Sequence, residues 1–169
     1  TTTTADLRAH GHDEAGVPLA QTLLKRMTND QALIKSVGLL VRHHLAPFAL
    51  LAQKATPKAY KRLAARLGST VTMRQLGLVA LADRQGRNGE GHEPLKSFGD
   101  LFESFLKQCD TAAVTNGPEA PILLGRHLLD TIAPGPALGV MLQKAYDIQI
   151  DEGITDVATL RQRVLKKQS

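Results

Sequence analysis

Apolar residues recur every three or four positions along most of this chain, which is the spacing that places them on one face of an α-helix. The clearest run is Phe98, Leu101, Phe102, Phe105, Leu106 and Cys109, and a weaker one is Val17, Ala20, Leu23, Leu24 and Met27. No stretch alternates apolar and polar residues as a half-buried strand does. Apolar residues make up 43% of the chain and charged residues 22%, which excludes the disordered and fibrous classes. The sequence therefore predicts an all-α fold.

Helix ends and a joint between two helical regions are marked by Gly, Pro and capping residues. Thr56-Pro57 is typical of a helix start, and Gly68 is typical of the end of that helix. Residues 84–97 are polar and rich in Gly, which indicates a loop or a joint between domains. We therefore predict one helical domain over residues 1–92 and a second over residues 93–169.

The charge balance favours a polyanionic partner such as RNA, because 21 Lys and Arg face 16 Asp and Glu and leave a net charge of +5. Aromatic residues make up only 4% of the chain, without Trp, so a surface on which bases stack is not expected. Cys109 is the single cysteine and can close no disulfide within the chain, which fits a reducing cytoplasm. No apolar stretch reaches the roughly 18 residues of a membrane span, so no membrane partner is expected.

One predicted helix carries a row of cations along one face. The row consists of Lys58, Lys61, Arg62 and Arg66. Such a row can follow a phosphate backbone, where each cation releases counterions on binding, or it can be an ordinary solvated face. The spacing alone leaves both interpretations open.

Histidines and one aspartate mark a candidate polar site. His44 and Asp83 each lie in an apolar stripe at the C-terminal end of a predicted helix, so we expect both side chains to point inward. A buried carboxylate must be paired, hydrogen-bonded or bound to a metal ion. One interpretation is a mixed histidine and carboxylate metal site. In the other, His44 is a hydrogen-bonded core residue and Asp83 pairs with a nearby arginine: Arg42, Arg84 or Arg87.

Four segments together resemble a known family. They are His10-Gly11-His12-Asp13-Glu14-Ala15-Gly16, Val41-Arg42-His43-His44-Leu45, Ala82-Asp83-Arg84-Gln85-Gly86-Arg87, and Gly125-Arg126-His127-Leu128-Leu129 followed by Pro134-Gly135-Pro136. Their order and approximate separations resemble the helical region that follows the catalytic head in the bacterial tRNA nucleotidyltransferase and poly(A) polymerase family. The resemblance covers nearly the whole chain, and its specificity lies in the combination because each segment alone is weak.

The resemblance implies an HD-domain-like helical bundle, truncated at its N-terminus, with a C-terminal helical extension. It implies a parent enzyme whose N-terminal nucleotidyltransferase head adds CCA or A to tRNA 3′ ends, using ATP, CTP and Mg²⁺. The catalytic carboxylates of the family belong to that head, so no catalytic residue is expected in this chain. The chain opens with Thr1-Thr2-Thr3-Thr4 and no Met, and we expect it to begin inside the HD domain, after the His-Asp doublet.

The resemblance also implies roles for individual residues. His12, His44 and Asp83, with His43 as the alternate, match positions that bind a divalent metal or hydrolyse phosphate esters in HD domains. Without the doublet this site is incomplete, and we expect weak or no metal binding. The expected RNA-facing residues are Arg42, Lys58, Lys61, Arg62, Arg66, Arg84 and Arg87.

Three functions remain open from the sequence. The leading one is an RNA-binding helical part of a tRNA nucleotidyltransferase-like enzyme that is inactive without its head. The second is a metal-dependent HD-type phosphohydrolase acting on phosphate esters. The third is a helical interaction module without catalysis.

Overall fold

The computed structural model of the chain describes residues 11–86 and 95–166, and the side chains of all of these except residues 95–97. Its described part is α-helical and contains no strand, which confirms the all-α prediction. The helices are α1 (His12–Met27), α2 (Gln31–His43), α3 (Ala46–Ala52), α4 (Pro57–Leu67), α5 (Met73–Gln85), α6 (Leu95–Thr111), α7 (Pro136–Glu152) and α8 (Val157–Lys166), with a 3-10 turn at Gly125–His127. No helix in the described ranges is long and apolar enough to cross a membrane.

The chain divides into two compact units, Thr1–Pro118 and Glu119–Ser169. The division predicted between residues 92 and 93 lies outside the described residues. Helix α6, which that prediction assigned to the second domain, packs against α3, α4 and α5 within the first unit. The compact units therefore separate after α6, because the aromatic face of this helix completes the core that precedes it.

Helix α4 begins and ends where the sequence predicted. Pro57 is its first residue, where the missing N–H of proline costs no helical hydrogen bond, and Gly68 follows it with a φ of 62°. Helix α5 begins with a capping box, in which the Thr72 hydroxyl accepts the Gln75 N–H at 3.1 Å and the Gln75 side chain accepts the Thr72 N–H at 2.9 Å. These local signals fix the two helices that flank the candidate sites.

The core of the first unit lies between α4, α5 and α6. Helix α6 buries the face that its periodicity predicted, with Phe105 and Cys109 fully inaccessible. Gly77 of α5 lies against this face, since a Cβ atom at Gly77 would be 3.0 Å from the rings of both Phe102 and Phe105. The close approach of α5 and α6 therefore depends on the absence of a side chain at Gly77.

Helices α1 and α2 form an antiparallel pair with glycines at their contact. A Cβ atom at Gly16 would lie 3.1 Å from Val41 Cγ1, and one at Gly38 would lie 2.7 Å from Gln21 Nε2. Of the predicted apolar stripe of α1, Val17 is buried, but Met27 is 74% exposed. Helix α1 therefore buries only a narrow part of its apolar face against the described residues.

The second unit is held together by α7, α8 and the segment before them. Gln149 is buried on α7, and its side chain accepts the N–H of Ile122 at 2.9 Å and donates to the carbonyl oxygen of Ala120 at 2.9 Å. Tyr146 donates its hydroxyl to the carbonyl oxygen of Glu119 at 2.6 Å. These bonds satisfy backbone groups of an irregular segment, which would be costly to bury unpaired.

Candidate nucleic-acid interface and histidine site

A groove of about 650 Å³ runs along α1, α2 and α4. Gly38 has no side chain to fill the groove, and the side chain of Gln21 on α1 lies opposite it. The lining residues are Asp13, Glu14, Val17 and Gln21 of α1, Lys35, Gly38, Leu39, Arg42 and His43 of α2, and Arg66 of α4. We call this feature the basic groove.

Three cations line the basic groove and are exposed to solvent: Lys35, Arg42 and Arg66. Within the described ranges no ion pair neutralises any of them. Two of the three are arginines, whose guanidinium groups donate two parallel hydrogen bonds to a phosphate. Asp13 and Glu14 also line the groove, so it presents a small excess of positive charge, with hydrogen-bond donors for an anionic ligand.

His43 lies half-buried in the wall of the same groove. Burial lowers the pKa of its imidazole below the ordinary value of 6.5, and the neighbouring charges of Arg66 and Arg42 lower it further, while Asp13 opposes them. The ring is therefore neutral at pH 7. It offers a hydrogen bond to a ligand in the groove and adds no further positive charge.

This pKa makes the stability of the chain depend on pH. Unfolded His43 takes up a proton near the ordinary pKa of 6.5, whereas folded His43 takes it up only at lower pH. The unfolded state therefore binds more protons as pH falls below 6.5, and the free energy of unfolding decreases. When the pH is lowered from one unit above 6.5 to one unit below it, we expect the melting temperature of the wild type to fall more than that of His43→Gln. Equal falls in the two proteins would contradict a lowered pKa.

His12 and His44 contact each other between the start of α1 and the end of α2. Their Nε2 atoms are 3.2 Å apart, and their rings meet edge to face with centroids 5.1 Å apart. His44 is buried, and its Nδ1 lies 2.7 Å from the carbonyl oxygen of Val41. Because a carbonyl only accepts, Nδ1 of His44 carries hydrogen, and one proton is shared between the two Nε2 atoms. Both ring nitrogens of His44 are therefore hydrogen-bonded.

His44 and Asp83 line one cavity of about 250 Å³ between α3 and α5, which we call the small cavity. Its other lining residues are Leu45, Phe48, Ala49, Ala52, Ala80 and Arg84. The guanidinium carbon of Arg84 lies 5.9 Å from the ring centre of Phe48 and 5.1 Å from that of Phe98. Arg84 is exposed, and these cation–π contacts place its guanidinium beside the rings of α3 and α6.

The predicted metal residues are distributed over both features. His44 and Asp83 line the small cavity, His12 contacts His44, and His43 lies in the basic groove. Across the residues that the structure describes, no three His, Cys, Asp or Glu side chains form a group that could hold a metal ion.

The predicted RNA-facing residues also separate into sets. Arg42 and Arg66 share the basic groove, Arg84 lies at the small cavity, and Arg87 lies outside the described residues. On α4, Lys58, Lys61 and Arg62 each take part in polar interactions of their own.

Sequence reasoning missed Lys35 and the aromatic contacts of Arg84. Lys35 precedes Arg42 by seven residues, or two helical turns, so the period of α2 already places the two cations on one face. The pairing of Arg84 with Phe48 and Phe98 had no such signal, because these residues belong to three different helices.

Comparison of the chain with protein-family models, with curated proteins and with solved structures found no significant match.

Proposed function

We propose that this chain is the RNA-binding helical part of a tRNA nucleotidyltransferase-like enzyme and that its basic groove contacts the phosphates of tRNA. The observation that carries this proposal is the cluster of Lys35, Arg42 and Arg66, which no ion pair in the described ranges neutralises. The four segments that resemble the family support it independently, since two of them contribute residues to the groove.

The electrostatics favour a polyphosphate ligand. Three cations and two carboxylates, those of Asp13 and Glu14, line the groove, so positive charge is in small excess there and an anion that bridges the cations is favoured. On α4, Arg62 and Lys58 lie one and two helical turns before Arg66, but both take part in polar interactions of their own, so the proposal rests on the cations of the groove. Phosphates of one backbone can reach Lys35, Arg42 and Arg66 together.

The chemistry of nucleotidyl transfer is assigned to the head of the parent enzyme. ATP, CTP and Mg²⁺ would bind there, and the role of this chain is to hold the RNA. The paired imidazoles of His12 and His44 do not fit a divalent-metal site of their own, because such sites need at least three protein ligands and no third one lies near them among the described residues. The proposed function therefore uses no metal ion held by these two imidazoles.

A metal-dependent phosphohydrolase is the second candidate, and one observation favours it: His44 and Asp83 line the same cavity. Hydrolysis of bis(p-nitrophenyl) phosphate that requires added Mn²⁺ and disappears in Asp83→Asn would support it over the first. The absence of this hydrolysis with intact tRNA binding would leave RNA binding as the function.

The salt dependence of tRNA binding tests the proposed function. With fluorescently labelled tRNA and the full chain, we expect the logarithm of the affinity to fall linearly with the logarithm of the salt concentration between about 50 and 200 mM. Three phosphate contacts predict a slope of about −2.7. Absence of binding at the low-salt end, or an affinity that does not change with salt, would refute a phosphate-binding groove.

A further inference from the structure

Arg126 and His127, on the 3-10 turn of the second unit, carry two hydrogen-bond donors that meet without an acceptor. The backbone N–H of Leu124 donates to Nδ1 of His127 at 3.1 Å, so Nδ1 carries no hydrogen. Nε2 of His127 therefore carries the ring hydrogen, because an imidazole keeps at least one N–H. Nε of Arg126 lies 3.2 Å from this Nε2, with its own N–H directed at the ring nitrogen. Since a guanidinium has only donors, this contact joins two N–H groups.

The turn that carries these two residues is held in place on both sides. The N–H of His127 donates to the carbonyl oxygen of Leu124 at 2.9 Å, and the N–H of Leu128 donates to that of Gly125 at 2.9 Å. Leu123 and Leu128, one on each side of the turn, are buried in the core of the second unit. The imidazole is therefore held in one orientation, and a ligand of its Nε2 donor does not have to order the backbone.

The positive charge of Arg126 is not neutralised within the chain. Arg126 is exposed, and it forms no ion pair with any residue of the described ranges. The two other arginines of this unit differ, since Arg161 pairs with Asp130 at 2.5 Å and Arg163 pairs with Glu152 at 2.8 Å. The guanidinium of Arg126 is therefore available to an anion.

We propose that Arg126 and His127 bind one phosphate group. A phosphate oxygen between Nε of Arg126 and Nε2 of His127 accepts both hydrogens, so two hydrogen bonds replace a contact between donors. The remaining N–H groups of the guanidinium can donate to a second oxygen of the same phosphate, which is the paired geometry that arginine forms with phosphate. The phosphate also supplies the negative charge that Arg126 lacks.

This phosphate site does not depend on the proposed RNA-binding function. Arg126 and His127 belong to the second unit, whereas the basic groove belongs to the first. The argument for the site uses only the hydrogen bonds of the turn and the charge of Arg126. A phosphate of RNA and a free phosphate compound offer the same chemistry to these donors.

Nuclear magnetic resonance of the full chain labelled with ¹⁵N tests the site with inorganic phosphate. Long-range ¹H–¹⁵N correlation spectra should show hydrogen on Nε2 of His127 before phosphate is added. During a phosphate titration at constant ionic strength, we expect saturable shifts of the Leu124 amide and of the His127 ring nitrogens. Hydrogen on Nδ1 of His127, no shift, or shifts that sodium chloride reproduces would overturn the site.

Two variants remove one donor each. Arg126→Gln removes the charge, and His127→Asn removes the Nε2 donor but keeps a side-chain oxygen that can accept the N–H of Leu124. We expect each variant to bind phosphate about tenfold more weakly, as for a lost hydrogen bond to a charged group. The matched control is Arg163→Gln, because this exposed arginine of the same unit already pairs with Glu152. Wild-type affinity in Arg126→Gln, or an equal loss in Arg163→Gln, would refute the assignment.

Arg66→Glu keeps this site apart from the basic groove. The variant should leave the phosphate-induced shift of the Leu124 amide unchanged, and loss of that shift would assign the response to the groove and refute the second site. Added tRNA then identifies the source of the phosphate. If tRNA shifts the Leu124 amide in wild type but not in Arg126→Gln, RNA supplies it. If inorganic phosphate shifts this amide and tRNA does not, the site takes a free phosphate compound.

Discussion

Charge reversal of Arg42 or Arg66 to Glu is expected to weaken tRNA binding by about 10- to 100-fold near 0.1 M salt. Each reversal removes one cation from the basic groove and adds one anion, so it changes the number of neutralised phosphates by up to two. The slope of log affinity against log salt should therefore become shallower by up to about 1.8. Fluorescence anisotropy of labelled tRNA over a range of salt concentrations measures both quantities.

The matched control is Lys107→Glu, which changes the net charge by the same amount at an exposed position on α6 outside the groove. We expect this variant to lose little affinity. If Lys107→Glu weakens binding as much as Arg66→Glu does, then net charge rather than the groove governs binding, and the assignment of the groove is wrong. Circular dichroism of each variant establishes that the helices remain folded.

Truncation of Phe105 to Ala is expected to cost about 3–5 kcal/mol in the free energy of unfolding. Phe105 is fully inaccessible at the centre of the first unit, and its ring centre lies 5.9 Å from that of Tyr60 on α4. It also packs on Gly77 of α5, so its truncation leaves a cavity where α6 contacts α4 and α5. Urea unfolding followed by circular dichroism measures the loss.

Leu78→Ala provides the comparison, because Leu78 lies next to Gly77 on α5 but is 47% exposed. Less apolar surface returns to water and no internal cavity forms, so the expected loss is below about 1 kcal/mol. Similar losses in Phe105→Ala and Leu78→Ala would show that α6 does not form the centre of this core.

The helical architecture could be read from the chain because its signals are local. The period of Phe102, Phe105 and Cys109 identified the buried face of α6, and Pro57 and Gly68 marked the ends of α4. Burial on α1 was less predictable. Met27 belongs to a helical stripe and is nevertheless exposed, since burial requires another element to cover the stripe.

The candidate sites could be predicted only in part. The period placed His44 and Asp83 on inward faces, and both line the small cavity. Lys35 and Arg42 lie on α2, and Arg66 lies on α4. The sequence does not show how these two helices are placed, so the groove that the three cations share was not predictable. The resemblance to the tRNA nucleotidyltransferase family stays a prediction for the residues that carry it.

The sequence by itself therefore determined where helices form, which face of α6 is apolar and that the chain is basic, because helix formation and amphipathicity depend on residues three or four positions apart. The tertiary structure decided which charges share a groove and which aromatic rings contact Arg84. Those pairings join residues far apart in the chain. They depend on how closely two helices approach, and the volume of the side chains between them sets that distance. Gly77 shows this dependence most clearly, since an added Cβ atom there would meet the rings of Phe102 and Phe105 on the neighbouring helix.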